Sequence, residues 1–302
     1  MKLIAPKLEL VIDADNYLGE TPIWAPTEQA LYWVNCEQEP ELHRWDARSG
    51  ARRVWPMPQR IGGFVLKDGG GALVVLADGL YDADLESGAL SLRVKSPLVH
   101  AALHECHCDR QGRFWVGSID HRISALDMRP GGGGFFRLDD DRLTQVFDGV
   151  SCSNGLAFSP DGRTLYHSDS PTAIVHAWDL DPDSGAVSNE REFFRLGEGE
   201  GLCDGATVDA ESGYWAALVF GSRLRRYLPD GTLDIEVKLP FNAPTKLAFG
   251  GSDLGTLYIT TNKMRPEGQG TKMLGGVYAF RPGFQGLSEP TLRQAAVDDT
   301  AG

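Results

Sequence analysis

The sequence predicts an all-β chain folded as one six-bladed β-propeller around a central channel, and three observations carry that prediction. Six short apolar strands recur, their second residues at 32, 73, 114, 165, 214 and 257, which spaces successive units by 41, 41, 51, 49 and 43 residues. A repeat of roughly 40–50 residues holding several short strands is the mark of a propeller blade. Most of these strands are followed by a second one with an aromatic or aliphatic centre, and no apolar stripe of helical period and length competes with them. Two β-sandwiches would also fill 302 residues, but they would not explain six similar turn–strand units. The domain is expected to run from residue 1 to residue 302.

The units follow in order. The first turns at Ala25-Pro26-Thr27-Glu28 into Leu31-Tyr32-Trp33-Val34 and continues through His43-Arg44-Trp45-Asp46. The second turns at Lys67-Asp68-Gly69-Gly70 into Ala72–Leu76 and continues through Leu80-Tyr81-Asp82-Ala83. The third turns at Asp109-Arg110-Gln111-Gly112 into Arg113–Gly117 and continues, past a Gly131–Gly134 run read as a flexible loop, through Phe135–Leu138. The fourth uses Ser159-Pro160-Asp161-Gly162, Thr164–Ser168 and Val175–Asp179. The fifth uses Asp209–Ser212, Gly213–Ala217 and Leu224–Tyr227, and the sixth Gly250–Asp253, Thr256–Thr260 and Gly276–Phe280. Gly, Asp and Pro supply the dihedrals that such turns require. Residues 298–302 are expected to be a frayed tail or the last part of ring closure.

Charge and composition then narrow the function. With 29 basic against 42 acidic residues the net charge is −13. That disfavours nucleic-acid backbones and anionic membrane surfaces, and it suits a site for a cation. Apolar runs such as Ala72–Ala77 fall far short of the roughly 20 residues of a spanning helix. Charges interrupt the N-terminal segment where a secretory signal would be apolar. The five cysteines are odd in number and too sparse for a disulfide scaffold. These features predict a cytoplasmic protein with reduced thiols, a monomer or small homo-oligomer, whose partner is a small molecule.

A propeller usually works in its channel, on the inner strand of each blade, so polar residues just ahead of each turn are the candidates. Glu20, Asn154 and Asp204 each lie five residues before the first residue of their turn, at 25, 159 and 209. A shared register puts them at equivalent places on a ring, converging on the axis. Two carboxylates and an amide oxygen brought to one point repel one another unless a cation lies between them, and such oxygen donors suit Ca²⁺, Mg²⁺ or Mn²⁺. The same register gives Gly62, His104 and Thr245 in the second, third and sixth blades.

These residues resemble a known family. Gly-Glu-x-Pro-x-Trp at 19–24, Ser-Asn-Gly-Leu-x-x-Ser-x-Asp at 153–161 and Asp-Gly-x-x-x-Asp at 204–209 are similar to motifs of the gluconolactonase, or senescence marker protein-30 (regucalcin), family. Gly112–Gly117, Phe249-Gly250-Gly251 and Gly275–Tyr278 agree, so the likeness runs from about residue 9 to 282. The resemblance implies a six-bladed propeller with one divalent cation in a metal-binding channel. It implies Glu20, Asn154 and Asp204 as metal ligands, and Asp204 also as the catalytic base. Calcium ranks first as the cation, with zinc, magnesium, manganese or iron as alternatives. The implied activity is hydrolysis of a sugar lactone to its aldonic acid. Where the family carries an Arg-x-Asn-Asp-Gly stretch, this chain has Ala102-Leu103-His104-Glu105-Cys106, so its specificity does not carry over.

His104, Glu105 and Asp120 are the candidates for substrate hydroxyl recognition. His104 could also ligate the metal or fill the channel; as a substrate contact it would lend activity a pH dependence near neutrality. Strand alternation puts His104, Cys106 and Cys108 on one side and His107 on the other, and no zinc-type Cys-x-x-Cys pair accompanies them. Cys152 and Cys203 are expected to point away from the ligands beside them. Other readings stay open: a different metal-dependent esterase-type hydrolase on the same ring, or a non-catalytic calcium- or partner-binding propeller, which a broad exposed apolar patch would favour.

Overall fold

Each predicted turn closes the hairpin between the inner strand of a blade and the strand beside it. The computed structural model describes residues 1–122, 131–263 and 274–293. The inner strands are Gly19–Ala25, Ile61–Leu66, Ala102–Cys108, Ser153–Phe158, Leu202–Val208 and Pro244–Gly250. Each leads an antiparallel meander, and the inner strands touch one another in a closed ring, so the six-bladed propeller is as expected. Apart from one short 3-10 turn at Ser170–Thr172, the described residues form strands and loops.

The strands read as nearly continuous apolar runs because each sheet is covered on both faces. Six hydrophobic clusters sit one between each pair of neighbouring blades. Tyr32 and Val34 pack with Phe64 and Val74 between blades 1 and 2. Leu31 and Trp33 of the same strand face the other way and pack with Tyr258 and Val277 of blade 6. Period-two alternation thus sends successive side chains into two different cores.

Two turns show why their sequences recur. Asp109 Oδ1 accepts from Gln111 N and Arg113 N, while its Oδ2 accepts from Trp115 Nε1 and Arg113 Nε. Asp209 repeats this with Glu211 N, Gly213 N, Trp215 Nε1 and Arg226 Nε. One buried carboxylate fixes the turn and anchors a core tryptophan.

Ring closure uses the N-terminus. Glu9–Ile12 pairs antiparallel with Val277–Phe280 as the outer strand of blade 6, and Lys2–Ile4 adds a parallel fifth strand to blade 5. The predicted closure at 298–302 lies outside the described residues. The Gly131–Gly134 run is only partly loop, because Gly133 and Gly134 begin the strand Gly133–Asp139.

Residues 285–293 run across the turn side of the ring. Ala210 N donates to Gln285 O, Leu292 N to Leu66 O and Arg293 N to Gly112 O. Glu289 Oε2 lies 2.9 Å from His107 Nε2. This strap spans the turns of blades 5, 6, 2 and 3, so the polar ends of the inner strands face the opposite side.

Candidate functional site

Each inner strand carries an irregularity beside its ring position. The pairing register breaks between Glu20 and Ile23, His104 and Cys106, Asn154 and Ala157, and Cys203 and Ala206. Thr21, Glu105 and Gly155 there have φ of 47°, 51° and 62°. A bulge re-aims side chains next to a site, and here it turns Glu20, His104, Asn154 and Asp204 toward the axis. It also defeats the alternation prediction at residues 104–108. Cys106 and Cys108 pack in the core between blades 2 and 3, whereas His104 contacts Arg60.

The three proposed ligands come together. Glu20 is buried, with Oε2 accepting from Thr21 N at 3.0 Å. Asn154 Oδ1 faces oxygen on two sides, Asp204 Oδ1 at 3.1 Å and Ser153 O at 3.0 Å. Asn154 Nδ2 is 2.8 Å from Ser170 Oγ, and Ser170 gives its single hydroxyl hydrogen to Cys203 O at 2.6 Å. Ser170 Oγ can therefore only accept from the amide, which holds the amide nitrogen toward Ser170 and its oxygen toward Asp204. Turning the amide over would let it donate to Asp204, but it would set its oxygen against a hydroxyl whose hydrogen is already used. Oxygens held face to face in this way fit a hard divalent cation. Among the described residues no three His, Cys, Asp or Glu side chains are placed to hold a metal ion by themselves, so this donor set is two carboxylates and an amide.

The electrostatics agree. Burial, and then the charge of Glu105, push the Glu20 carboxyl up to about 7. Burial, and then Glu20 and Glu105, raise Asp204 well above the usual carboxylate range. Carboxylates crowded together out of water call for a proton or a cation.

The other ring positions are used differently. Gly62 brings two blades together, since a Cβ there would lie 2.4 Å from Leu103 O. Thr245 is not in the channel lining: its Oγ1 donates to Gly19 O and is 2.9 Å from Thr260 Oγ1, tying blade 6 to blade 1. Its neighbour Lys246 reaches across instead, past Gly205, where a Cβ would sit 2.3 Å from the lysine stem. Lys246 Nζ pairs with Glu105 Oε2 at 2.8 Å, and the two side chains are only 3% and 1% exposed. Burial works against the ammonium, but Glu105 and then Glu20 outweigh it and hold its pKa above the ordinary lysine value.

Two expected substrate contacts are thereby committed elsewhere. Glu105 accepts from Lys246 Nζ at Oε2 and from Leu156 N at Oε1, which makes it a brace between blades. Asp120 accepts from Arg122 N, Nε and Nη2 and from Gly132 N, and so organises the rim of blade 3. His104 does face the channel, but burial, then Arg60 and Lys246, push its pKa well below the ordinary value. That direction, which favours the neutral ring, runs against the titration near neutrality expected of it. Cys203 points into the core, as expected, whereas Cys152 lies on the ligand side, with Sγ 3.6 Å from Asn154 Nδ2. It stands two residues from Asn154, so alternation itself returns it to that face.

Residue patterns overlooked Arg60, Ser170 and Lys246. Lys246 could have been found by moving one residue along the blade-6 register. Arg60 and Ser170 lie outside any ring register, in the segments before and after strands.

Residues 18–263 match the family described as "SMP-30/Gluconolactonase/LRE-like region". A 6-deoxy-6-sulfogluconolactonase of Pseudomonas putida is 38% identical, covering 94% of this chain and 97% of its own length. An L-arabinolactonase of Azospirillum brasilense is 35% identical, with 86% of each chain covered. Among solved structures, a calcium-binding regucalcin from Agrobacterium tumefaciens superimposes with a TM-score of 0.90 at 23% identity, covering 97% of this chain and 100% of that one.

Proposed function

The chain belongs to the SMP-30/gluconolactonase/LRE-like family, and on that premise we propose that it hydrolyses a sugar lactone to the aldonic acid, with one divalent cation held by Glu20, Asn154 and Asp204. The observation that carries the cation is the Asn154 amide, locked by Ser170 with its oxygen toward Asp204. The relatives named as lactonases support the reaction class. When bound, the cation supplies Lewis acidity toward the ester carbonyl and orients the substrate. Calcium is our first assignment, since the donors are hard oxygens.

The chain's own residues do the remainder. Asp204 takes a proton from the attacking water as its oxygen bonds to the carbonyl carbon, and returns a proton to the ring oxygen as the ester C–O bond breaks. Atoms balance as lactone plus water giving hydroxy acid. His104 offers a neutral N–H to the substrate. The Lys246–Glu105 pair keeps a third carboxylate from competing for the cation. The exposed large apolar side chains, among them Leu3, Leu10, Val54, Leu92 and Phe220, are spread over different blades, which favours an enzyme over a docking module.

The test is a panel of aldonolactones assayed with metal-stripped and metal-reloaded protein, corrected for spontaneous hydrolysis, alongside Asp204→Ala. Activity should vanish on stripping and return on reloading, and the variant should lose both activity and calorimetric metal binding. Equal turnover by stripped and reloaded protein, or unchanged metal affinity in Asp204→Ala, would refute the assignment.

A further inference from the structure

Beside the proposed metal ligands stand two donors that take no part in the proton transfers of hydrolysis. Arg60 immediately precedes the inner strand of blade 2, and its side chain is 13% exposed. Its Nε donates to Glu37 Oε1 at 2.9 Å, and its Nη2 lies 3.3 Å from His104 Nδ1. Its Nη1 is buried and has no partner. A guanidinium only donates. His104 Nδ1 must therefore be the acceptor, and the ring hydrogen sits on Nε2, which no described residue accepts. The ring is 6% exposed. Contact across the two blades depends on Gly62, whose missing Cβ lets the strands approach.

The remaining ionic groups near this place are matched. Lys246 is taken by Glu105 and Arg122 by Asp120, and Glu20 and Asp204 surround the cation position. Glu37, a third exposed, occupies one of the five N–H groups of Arg60 from the rim. His121 lies close enough to feel both Arg60 and Glu37. A buried N–H left unpaired is costly, so a guanidinium edge with a free hydrogen next to a second free donor is a place awaiting an acceptor.

We propose that Arg60 and His104 form a subsite for an oxyanionic substituent on the lactone, remote from its ester, so that the substrate class is an acidic sugar lactone. The substituent's oxygens would lie on the Nη1–Nη2 edge of Arg60 and on His104 Nε2. A planar guanidinium suits a carboxylate, sulfonate or phosphate equally, because all present paired oxygens. The inference rests on the lactonase reading for the identity of the ligand, but not for the existence of the subsite.

The experiment compares kcat/KM on D-glucono-1,5-lactone with kcat/KM on three lactones whose far end carries a sulfonate, a phosphate or a carboxylate. Wild type, Arg60→Met and Arg60→Lys are assayed after reloading with calcium. Wild type should favour at least one charged lactone by about 10- to 100-fold, the worth of a charge-assisted hydrogen bond. The lactone that gains most identifies the group. Arg60→Met should bring that ratio close to one, beyond any loss it suffers on the neutral lactone, and Arg60→Lys should keep part of it. Calorimetry with inorganic sulfate and inorganic phosphate on the same proteins reads the subsite without turnover, and binding should weaken at least tenfold in Arg60→Met. If no lactone is hydrolysed but anion binding depends on Arg60, the lactonase reading falls and the subsite stands. A charged-to-neutral ratio near one in wild type, or one unchanged by Arg60→Met, would overturn the subsite, as would anion binding indifferent to Arg60.

Discussion

Removing the Lys246 ammonium while keeping its bulk, as in Lys246→Met, should destabilise the metal-free protein strongly. Lys246 Nζ and Glu105 Oε2 are 2.8 Å apart and almost wholly out of water. At an effective dielectric of about 20 their mutual attraction is on the order of 6 kcal/mol, most of which offsets the desolvation of the two charges. The net worth of the pair is therefore small, but the cost of breaking it is not. Glu105 would be left buried beside Glu20 and Asp204, and an orphaned buried charge typically costs about 3–5 kcal/mol. Spread over 302 residues, that lowers Tm by about 5–8 °C, taking roughly 2.1 cal/mol/K of unfolding entropy per residue. The double variant Lys246→Met/Glu105→Gln should recover most of the loss, because the unpaired charge is gone. Cation affinity should move oppositely. Losing a positive neighbour tightens binding in Lys246→Met, on the order of tenfold, equivalent to about 1.4 kcal/mol. Differential scanning calorimetry of stripped and calcium-loaded forms, with metal titrations, reads both effects. A Lys246→Met protein as stable as wild type when stripped, or one that binds calcium more weakly, would refute the reasoning.

Three further outcomes are expected. Replacing Ser170 by Ala frees the Asn154 amide to turn its nitrogen toward Asp204, so calcium affinity measured by calorimetry should fall by about tenfold or more, although Ser170 is not itself a ligand. Burial pushes His43 and His167 down to about 3 from an ordinary 6.5. Their stabilising contribution is whole above pH 6.5 and is lost as pH falls toward 3, about 2 kcal/mol each by pH 5. Urea unfolding of wild type and His43→Leu should show the variant with the shallower decline between pH 7 and 5. Asp209→Ala would strip Trp215 Nε1 and Arg226 of their buried acceptor, and should lower stability by about 3 kcal/mol or more without changing calcium affinity.

The repeat, the turns and the shared register of Glu20, Asn154 and Asp204 were legible in the residues because each is a local matter. Asp109 and Asp209 select their turns through hydrogen bonds to groups a few residues away, and a strand–turn unit repeated six times has few closed packings. Glu20, Asn154 and Asp204 could be found by counting back from those turns, since equivalent strands on a ring share an axis.

Counting failed where the backbone departs from even pleating or where the partner is remote in sequence. Bulges beside Glu20, His104, Asn154 and Asp204 break period two, so alternation mis-sorted Cys106 and Cys108. Thr245 kept the register yet turned to latch blade 1, leaving the channel to Lys246. Glu105 and Asp120 looked free in sequence but are spent on Lys246 and Arg122, partners that only packing reveals. The strap at 285–293 and the N-terminal strand of blade 6 join segments hundreds of residues apart. Short-range sterics and capping determine what a segment can be; which buried charge meets which counter-charge is decided only when six sheets close on one another and water is excluded.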